Sequence, residues 1–292
     1  MRALPDVWVH RRPAGASWGP LDDEAPATNG AGKVPAPRTT GWHVLTVLLR
    51  NEFRARYRSQ ALGILWSLLN PLVQTAILSF IFSHVSAFKS AIPYYAVYLL
   101  IGVVVWQWFA TAINTATQSF ITNADIVKRT VFSRQIVPLA TAMSYGINFA
   151  MEAMLVLALV VIWPHAFKLT PALLLVPVVL AILAALIVGV VLATSVLNVI
   201  YRDVAFLVST ALTLLYWLCP IIYPLSFVPP EYLPFYEMNP IAAILIALRD
   251  CLMDGRMPSL LTWVGMVGPT ALMLVIGWLT FRHYERMVLD YV

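Results

Sequence analysis

Apolar runs of membrane-crossing length alternate with short polar links along most of this chain. Six of them fall at approximately 61–84, 94–120, 136–163, 172–198, 206–223 and 260–281, and about 20 apolar residues are enough to cross a hydrocarbon core of about 30 Å. The fifth is the shortest. The pattern predicts an all-α integral membrane fold with six transmembrane helices. Between the fifth and sixth runs a shorter apolar stretch, Ile241 to Leu248, follows Pro229, Pro230, Pro234 and Pro240, which rule out one continuous helix there. An external re-entrant helical hairpin is predicted. A seventh crossing would bury Arg249 and Asp250 and put Arg282 and Arg286 outside, against the usual placement of charge. Ahead of the first run, Trp42, Leu45, Leu48, Leu49 and Phe53 share one helical face while Arg50, Arg54 and Arg58 share another, the pattern of an amphipathic interface helix over 42–57. It either anchors the chain to anionic lipid or also supports a cytoplasmic partner.

Polar residues inside the runs recur at helical spacing. Gly63, Ser67, Asn70 and Gln74 form one stripe, Gln107, Thr111, Asn114 and Gln118 a second, and Thr141, Tyr145, Asn148 and Glu152 a third. Such side chains face protein or water rather than lipid, so the stripes are either glue between helices or the lining of a wet passage, and three together favour the passage. Glu152 is the one carboxylate well inside a run, and a protonated form hydrogen-bonded within the bundle is expected. Tyr94, Tyr95 and Tyr98 open the second run, Trp106 and Trp108 lie within it, and Tyr216, Trp217 and Tyr223 mark the outer half of the fifth. They serve as an interfacial belt, or Trp106, Trp108 and Trp217 present flat faces to sugar rings.

Composition agrees with a lipid-facing bundle: 60% hydrophobic against 11% charged residues, a balance that would leave a water-exposed globule insoluble. Charge sets the orientation. With both termini inside, fifteen Lys and Arg lie on the cytoplasmic side, and only Lys89, Lys168, Arg249 and Arg256 lie outside. The predicted organisation is a disordered cytoplasmic tail over 1–41, rich in Pro and Gly with acids at 22–24, a transmembrane domain over 42–284, and a short cytoplasmic C-terminus over 285–292. Cys219 and Cys251 are too few for a disulfide scaffold, and a bond between them is left open.

Catalytic motifs are missing. GAGK at 30–33 has Val34 in place of the Ser or Thr of a phosphate loop and Ala27 in place of its first Gly, and no HExxH or CxxC occurs. The expectation is a transport subunit that is not itself an enzyme and carries no cofactor. Any ATP and Mg would bind on a partner polypeptide. The natural docking site is the loop 123–138, where Asn123 or Asp125 can cap a short helix, Lys128 and Arg129 face the cytoplasm, and Ile126, Val127, Val131 and Phe132 give an apolar face. The bland alternative is a cationic loop that only fixes topology.

RYRSQALGILWSLLNPL at 56–72, NADIVKRTVFSRQIVPL at 123–139, YRDV at 201–204, PIIYP at 220–224, VPP at 228–230, NP at 239–240 and Arg249 together resemble the permease subunit of bacterial ABC polysaccharide exporters, which move O-antigen, capsule and teichoic-acid chains. The resemblance covers about 42–284. Ser133 departs from it, since the family commonly has proline after the phenylalanine, and the tail is longer than the family's usual start. It implies a permease domain over 42–284 in a bacterial inner membrane, forming a homodimer above two copies of a nucleotide-binding ATPase and moving a lipid-linked polysaccharide, with membrane lipids but no nucleic acid among its partners. It implies an ATPase-coupling segment containing Asp125, Ile126, Val127, Lys128, Arg129, Phe132 and Arg134. The implied channel lining is Ser67, Asn70, Gln74, Trp106, Trp108, Ser209, Thr213, Tyr216 and Trp217, and the implied external gate is Tyr232, Tyr236 and Arg249. Alternatives are an ABC permease for a drug or lipid, a secondary carrier, which would need repeats and charged relays that the chain lacks, and a membrane glycosyltransferase, for which Asp22, Asp23 and Glu24 make a poor metal site.

Overall fold

The computed structural model describes residues 45–50, 52, 64–83, 92, 94–129 and 132–288. The tail, Trp42, Phe53, the arginines at 54, 56 and 58, Lys89, Val131 and the residues after 288 lie outside them, as does the side chain of Arg129. The elements used below are α1 (Ile64–Ser83), α2 (Tyr95–Thr117), α3 (Ala124–Arg129), α4 (Ile136–Ile162), α5 (Val176–Ile200), α6 (Val204–Leu218), α7 (Pro240–Arg249) and α8 (Leu260–Tyr284). The described residues contain no strand. Five segments are long and apolar enough to cross a membrane: Leu65–Phe82, Tyr95–Thr117, Ile136–Ile162, Pro171–Ile200 and Leu260–Tyr284. The chain is therefore an all-helical, multi-pass membrane protein.

α6 is shorter than its hydropathy suggested. Its 15 residues reach only about 22 Å at 1.5 Å per residue, and the apolar run continues to Tyr223 as non-helical chain. The cause is Pro220. A residue that precedes proline is pushed out of the helical region, and Cys219 is extended at φ −87°, ψ 146°. At the other end of α6, the turn out of α5 is tied by Asn198, whose Oδ1 accepts the Ala205 amide at 2.9 Å.

α2 is the centre of the fold, with α1, α4, α5, α6 and α7 packed around it. Val97, Leu99, Ala112 and Ala116 on α2 are fully enclosed. α5 and α8 approach until their backbones touch: a Cβ built on Gly277 would stand 2.0 Å from the Gly189 carbonyl oxygen, and one on Gly189 would stand 2.7 Å from the Met273 carbonyl carbon. Between helices in lipid, where apolar burial supplies little drive, such backbone approach is a main source of attraction. α7, led in by the short helix Leu233–Met238 and capped by Asn239 Oδ1 on the Ile241 amide at 3.2 Å, is almost wholly buried. The end of that lead-in lies on α8, where a Cβ on Gly265 would meet the Glu237 carbonyl oxygen at 1.7 Å. At the opposite end a second apolar cluster joins Leu48, Phe120, Val127, Val137, Val196, Phe281 and Val288. This gathers the described part of the N-terminal amphipathic segment, α3 and the C-terminal end of α8 into one collar.

Candidate functional site

Two clefts open on the face formed by α1, α2, α4 and α6. One, of about 430 Å³, is lined by Gln74, Trp106, Gln107, Thr111, Asn114, Ser209, Thr213 and Tyr216 among others. The other, of about 160 Å³, is lined by Trp66, Ser67, Asn70, Gln107, Trp108, Thr111, Tyr145, Asn148 and Glu152 among others. Gln107 and Thr111 line both, so part of each of the three stripes converges on one open polar face, while Gln118 and Thr141 line neither cleft and Gly63 lies outside the described residues. Gln107 Nε2 donates to Gln74 Oε1 at 3.2 Å, and Gln74 Nε2 donates to the Tyr216 hydroxyl at 3.2 Å. Thr115 donates to the Tyr145 hydroxyl at 2.9 Å. Thr111 and Thr213 turn their hydroxyls back to the carbonyls of Gln107 and Ser209.

The aromatic candidates separate. Trp106 is buried, its ring edge-on to Tyr216 with centroids 5.5 Å apart. Trp108 stacks on Phe149 at 4.3 Å. Trp217 is 64% exposed and meets Tyr216 edge-on at 5.4 Å. Glu152 lines the smaller cleft, is buried, and makes no hydrogen bond to a described residue, unlike the bonded carboxyl expected from the sequence. Groups of three or more His, Cys, Asp or Glu able to hold a metal are absent among the described residues. Cys219 and Cys251 are both free and buried.

Tyr95 and Tyr98, which the sequence left as possible belt residues, point inward and are buried. Tyr95 donates to the Ile222 carbonyl at 2.7 Å and Tyr98 to that of Tyr223 at 2.9 Å. Arg249 is buried beside them, its guanidinium 3.5 Å over the Tyr98 ring, its nitrogens donating to the carbonyls of Pro220, Ile221 and Tyr98. A non-helical chain at membrane depth leaves carbonyls without partners, each costing several kcal/mol in hydrocarbon. Tyr95, Tyr98 and Arg249 supply the missing donors for 220–223. Their i, i+3 spacing on α2 was the available signal, but the partners lie over 120 positions away. Arg249 thus stands apart from the other gate candidates: Tyr232 is exposed, and Tyr236 is half-buried with its hydroxyl 3.0 Å from that of Tyr223. Beyond α7, burial pushes the Asp250 carboxyl above its ordinary range while Arg256, 3.0 Å away, opposes the shift.

In the collar, Asp125 and Lys128 are exposed, Val127 is buried, and Ile126 and Phe132, like Leu45 and Leu49, are half-buried against the apolar cluster that contains Leu48 and Val127. Arg134 donates to the Glu285 carbonyl. Glu52 Oε1 accepts from Thr141 at 3.1 Å and from Asn123 at 3.4 Å, a tie between the amphipathic segment and the entry to α3 that spacing alone did not indicate.

The membrane-domain model of ABC-2 type transporters matches residues 43–253. The chain belongs to the ABC-2 type transporter family. Similarity to named relatives extends over most of this ABC-2 transporter chain. It is 31% identical over 249 residues to the O-antigen export system permease protein RfbA of Klebsiella pneumoniae, covering 83% of this chain and 94% of the relative. It is 27% identical over 221 residues to the protein of the same name from Myxococcus xanthus, covering 74% and 82%. It is 23% identical over 246 residues to the polysialic acid transport protein KpsM of Escherichia coli, covering 83% and 93%. Within the ABC-2 match lie α1 to α7, both polar clefts and Arg249.

Proposed function

We propose that this chain is the membrane-spanning subunit of an ATP-driven exporter that carries a lipid-linked polysaccharide across the bacterial inner membrane. The observation that carries the proposal is the open face on which two clefts share Gln107 and Thr111. Amides, hydroxyls and aromatic rings at mid-helix height suit a hydroxyl-rich chain, and a polar face turned toward lipid would be costly unless water or a second subunit covers it. A second copy of the chain is the natural cover, so that α1 and α6 of the two copies enclose one passage. The relatives named for O-antigen and polysialic acid transport support a glycan as cargo.

The topology follows from the same premise. α6, extended by 219–223, makes the sixth crossing, and 224–259 forms an external re-entrant hairpin. Both termini are cytoplasmic, with a tail over 1–41, a permease domain over 42–284 and a C-terminal segment over 285–292. Two ATPase subunits bind the collar, where α3 offers exposed Asp125 and Lys128 above its buried Val127. The partner supplies ATP and Mg. Its closure pushes on α3, and the collar passes the displacement to α4, α5 and α8 through their shared apolar cluster. Tyr232 and Tyr236 guide the exit, and Arg249 holds the wall behind them.

The test is to purify the chain from its native membrane and assay ATP hydrolysis and glycan export in vesicles. An ATPase that co-purifies, and whose loss of coupling follows Lys128→Glu, is the expected result. A chain that exports glycan without any ATPase would overturn the proposal.

A further inference from the structure

Away from the collar, at the end where α2 begins and α4 ends, a third cleft of about 290 Å³ lies between the start of α2, the loop 163–170 and the end of α7. We infer that this cleft is a binding site for a phosphate-bearing headgroup. Its polar lining includes His165, Lys168, Arg249 and Asp254, with Tyr94 and Tyr98 on the α2 side.

The charges point to an anion. Arg249 is buried, its cation faced by carbonyl dipoles and the Tyr98 ring, with no carboxylate bonded to it among the described residues. Its Nε–H also lacks an acceptor there. A buried guanidinium without a counter-charge is costly unless an anion completes its surroundings. Lys168 is exposed and makes no ion pair with a described residue. The acid on the rim is already engaged: Asp254 is 2.6 Å from Arg256, which also holds Asp250 at 3.0 Å. Lys168 and Arg249 therefore outweigh the single negative charge left on that trio.

Backbone and packing hold the cleft in shape. The Lys168 amide donates to the Leu252 carbonyl at 3.1 Å, and the Thr170 hydroxyl donates to that of Gly255 at 3.1 Å. Gly255 is left-handed at φ 65°, and a Cβ on it would stand 2.8 Å from the Lys168 Cβ, so the hairpin end props the lysine stem toward the cleft. Tyr94 on the rim is the one described non-glycine residue at positive φ, at 57°. Such conformations persist only where surrounding structure enforces them, and they gather at ligand sites. Phosphate, with several acceptor oxygens and more than one site for a cation, fits a Lys–Arg–His set better than a neutral sugar does.

Binding can be measured without transport, so the result does not depend on the cargo. The full chain, purified with any companion subunits, is placed in phosphatidylcholine nanodiscs containing a minority of phosphatidylglycerol, and retained lipids are counted by native mass spectrometry. In parallel, sodium pyrophosphate is titrated calorimetrically onto the same protein in lipid-free detergent. Lys168→Glu should weaken retention or titration by about tenfold or more, the worth of a charge-assisted hydrogen bond, and Lys168→Arg should restore most of it. Loss confined to the nanodisc arm identifies the ligand as a membrane headgroup. Loss in the pyrophosphate arm identifies a phosphate accepted free of its lipid, as on an exported molecule. Arg249 is avoided as the primary variant because it also holds 220–223, whereas Lys168 is exposed. Wild-type protein that binds neither probe, or binding in both arms that Lys168→Glu leaves unchanged, overturns the inference.

Discussion

α2 and α6 are both apolar helices of the same chain, yet most of α2 is buried and α6 has no buried residue. Around α2, α5, α7 and α8 the packing is close and the backbones touch at glycines. Around α1 and α6 the side chains are open, with a polar stripe at the two clefts among exposed apolar residues. The first region is built to persist and the second to face something else, so substitutions in the two should fail in different ways.

The largest effect is expected where the backbones meet. Gly277→Leu has no space against the Gly189 carbonyl and should abolish recovery of monodisperse protein in detergent. Gly277→Ala should cost about 1–3 kcal/mol, read as a lower unfolding midpoint. Normal yield and stability for both would remove the contrast between the regions. Next comes Arg249→Gln, which strips donors from the carbonyls of Pro220, Ile221 and Tyr98. A loss of about 3 kcal/mol or more is expected, at about 1–3 kcal/mol per orphaned group. Trypsin accessibility near 219–230 should rise with it, and an unchanged digest would mean the segment holds without its clamp.

On the open face stability should barely move. Gln74→Leu with Gln107→Leu should change it by no more than about 1–2 kcal/mol, the scale of interhelical hydrogen bonds in membranes, while glycan export falls at least tenfold. Export at the wild-type rate would reduce these residues to glue. The smallest structural effect belongs to Lys128→Glu, an exposed residue of α3, which should leave the unfolding midpoint within about 0.5 kcal/mol and uncouple ATP hydrolysis from export.

Much of the fold could be read from hydropathy, because a helix must satisfy its own backbone in lipid and therefore needs a long apolar run. Five of the expected segments reappear with ends shifted by a few residues. The fifth run ended early because Pro220 outweighed hydropathy at the helix end. The polar stripes of the site were legible too, since 3.6-residue spacing puts Ser67, Asn70 and Gln74 on one face. That Gln107 would bond Gln74 and stand between two clefts was not legible, and neither was the inward turn of Tyr95 and Tyr98.

The sequence by itself determined a multi-pass helical membrane chain, the loop bearing α3 and the residue types of its polar face, since all three depend on local composition and helical period. Only the tertiary structure decided which stripes meet, that Arg249 clamps 220–223, and that His165 and Lys168 share a cleft with it. Those facts depend on contacts between residues up to about 150 positions apart, and spacing along one helix carries no information about which other helix it will face.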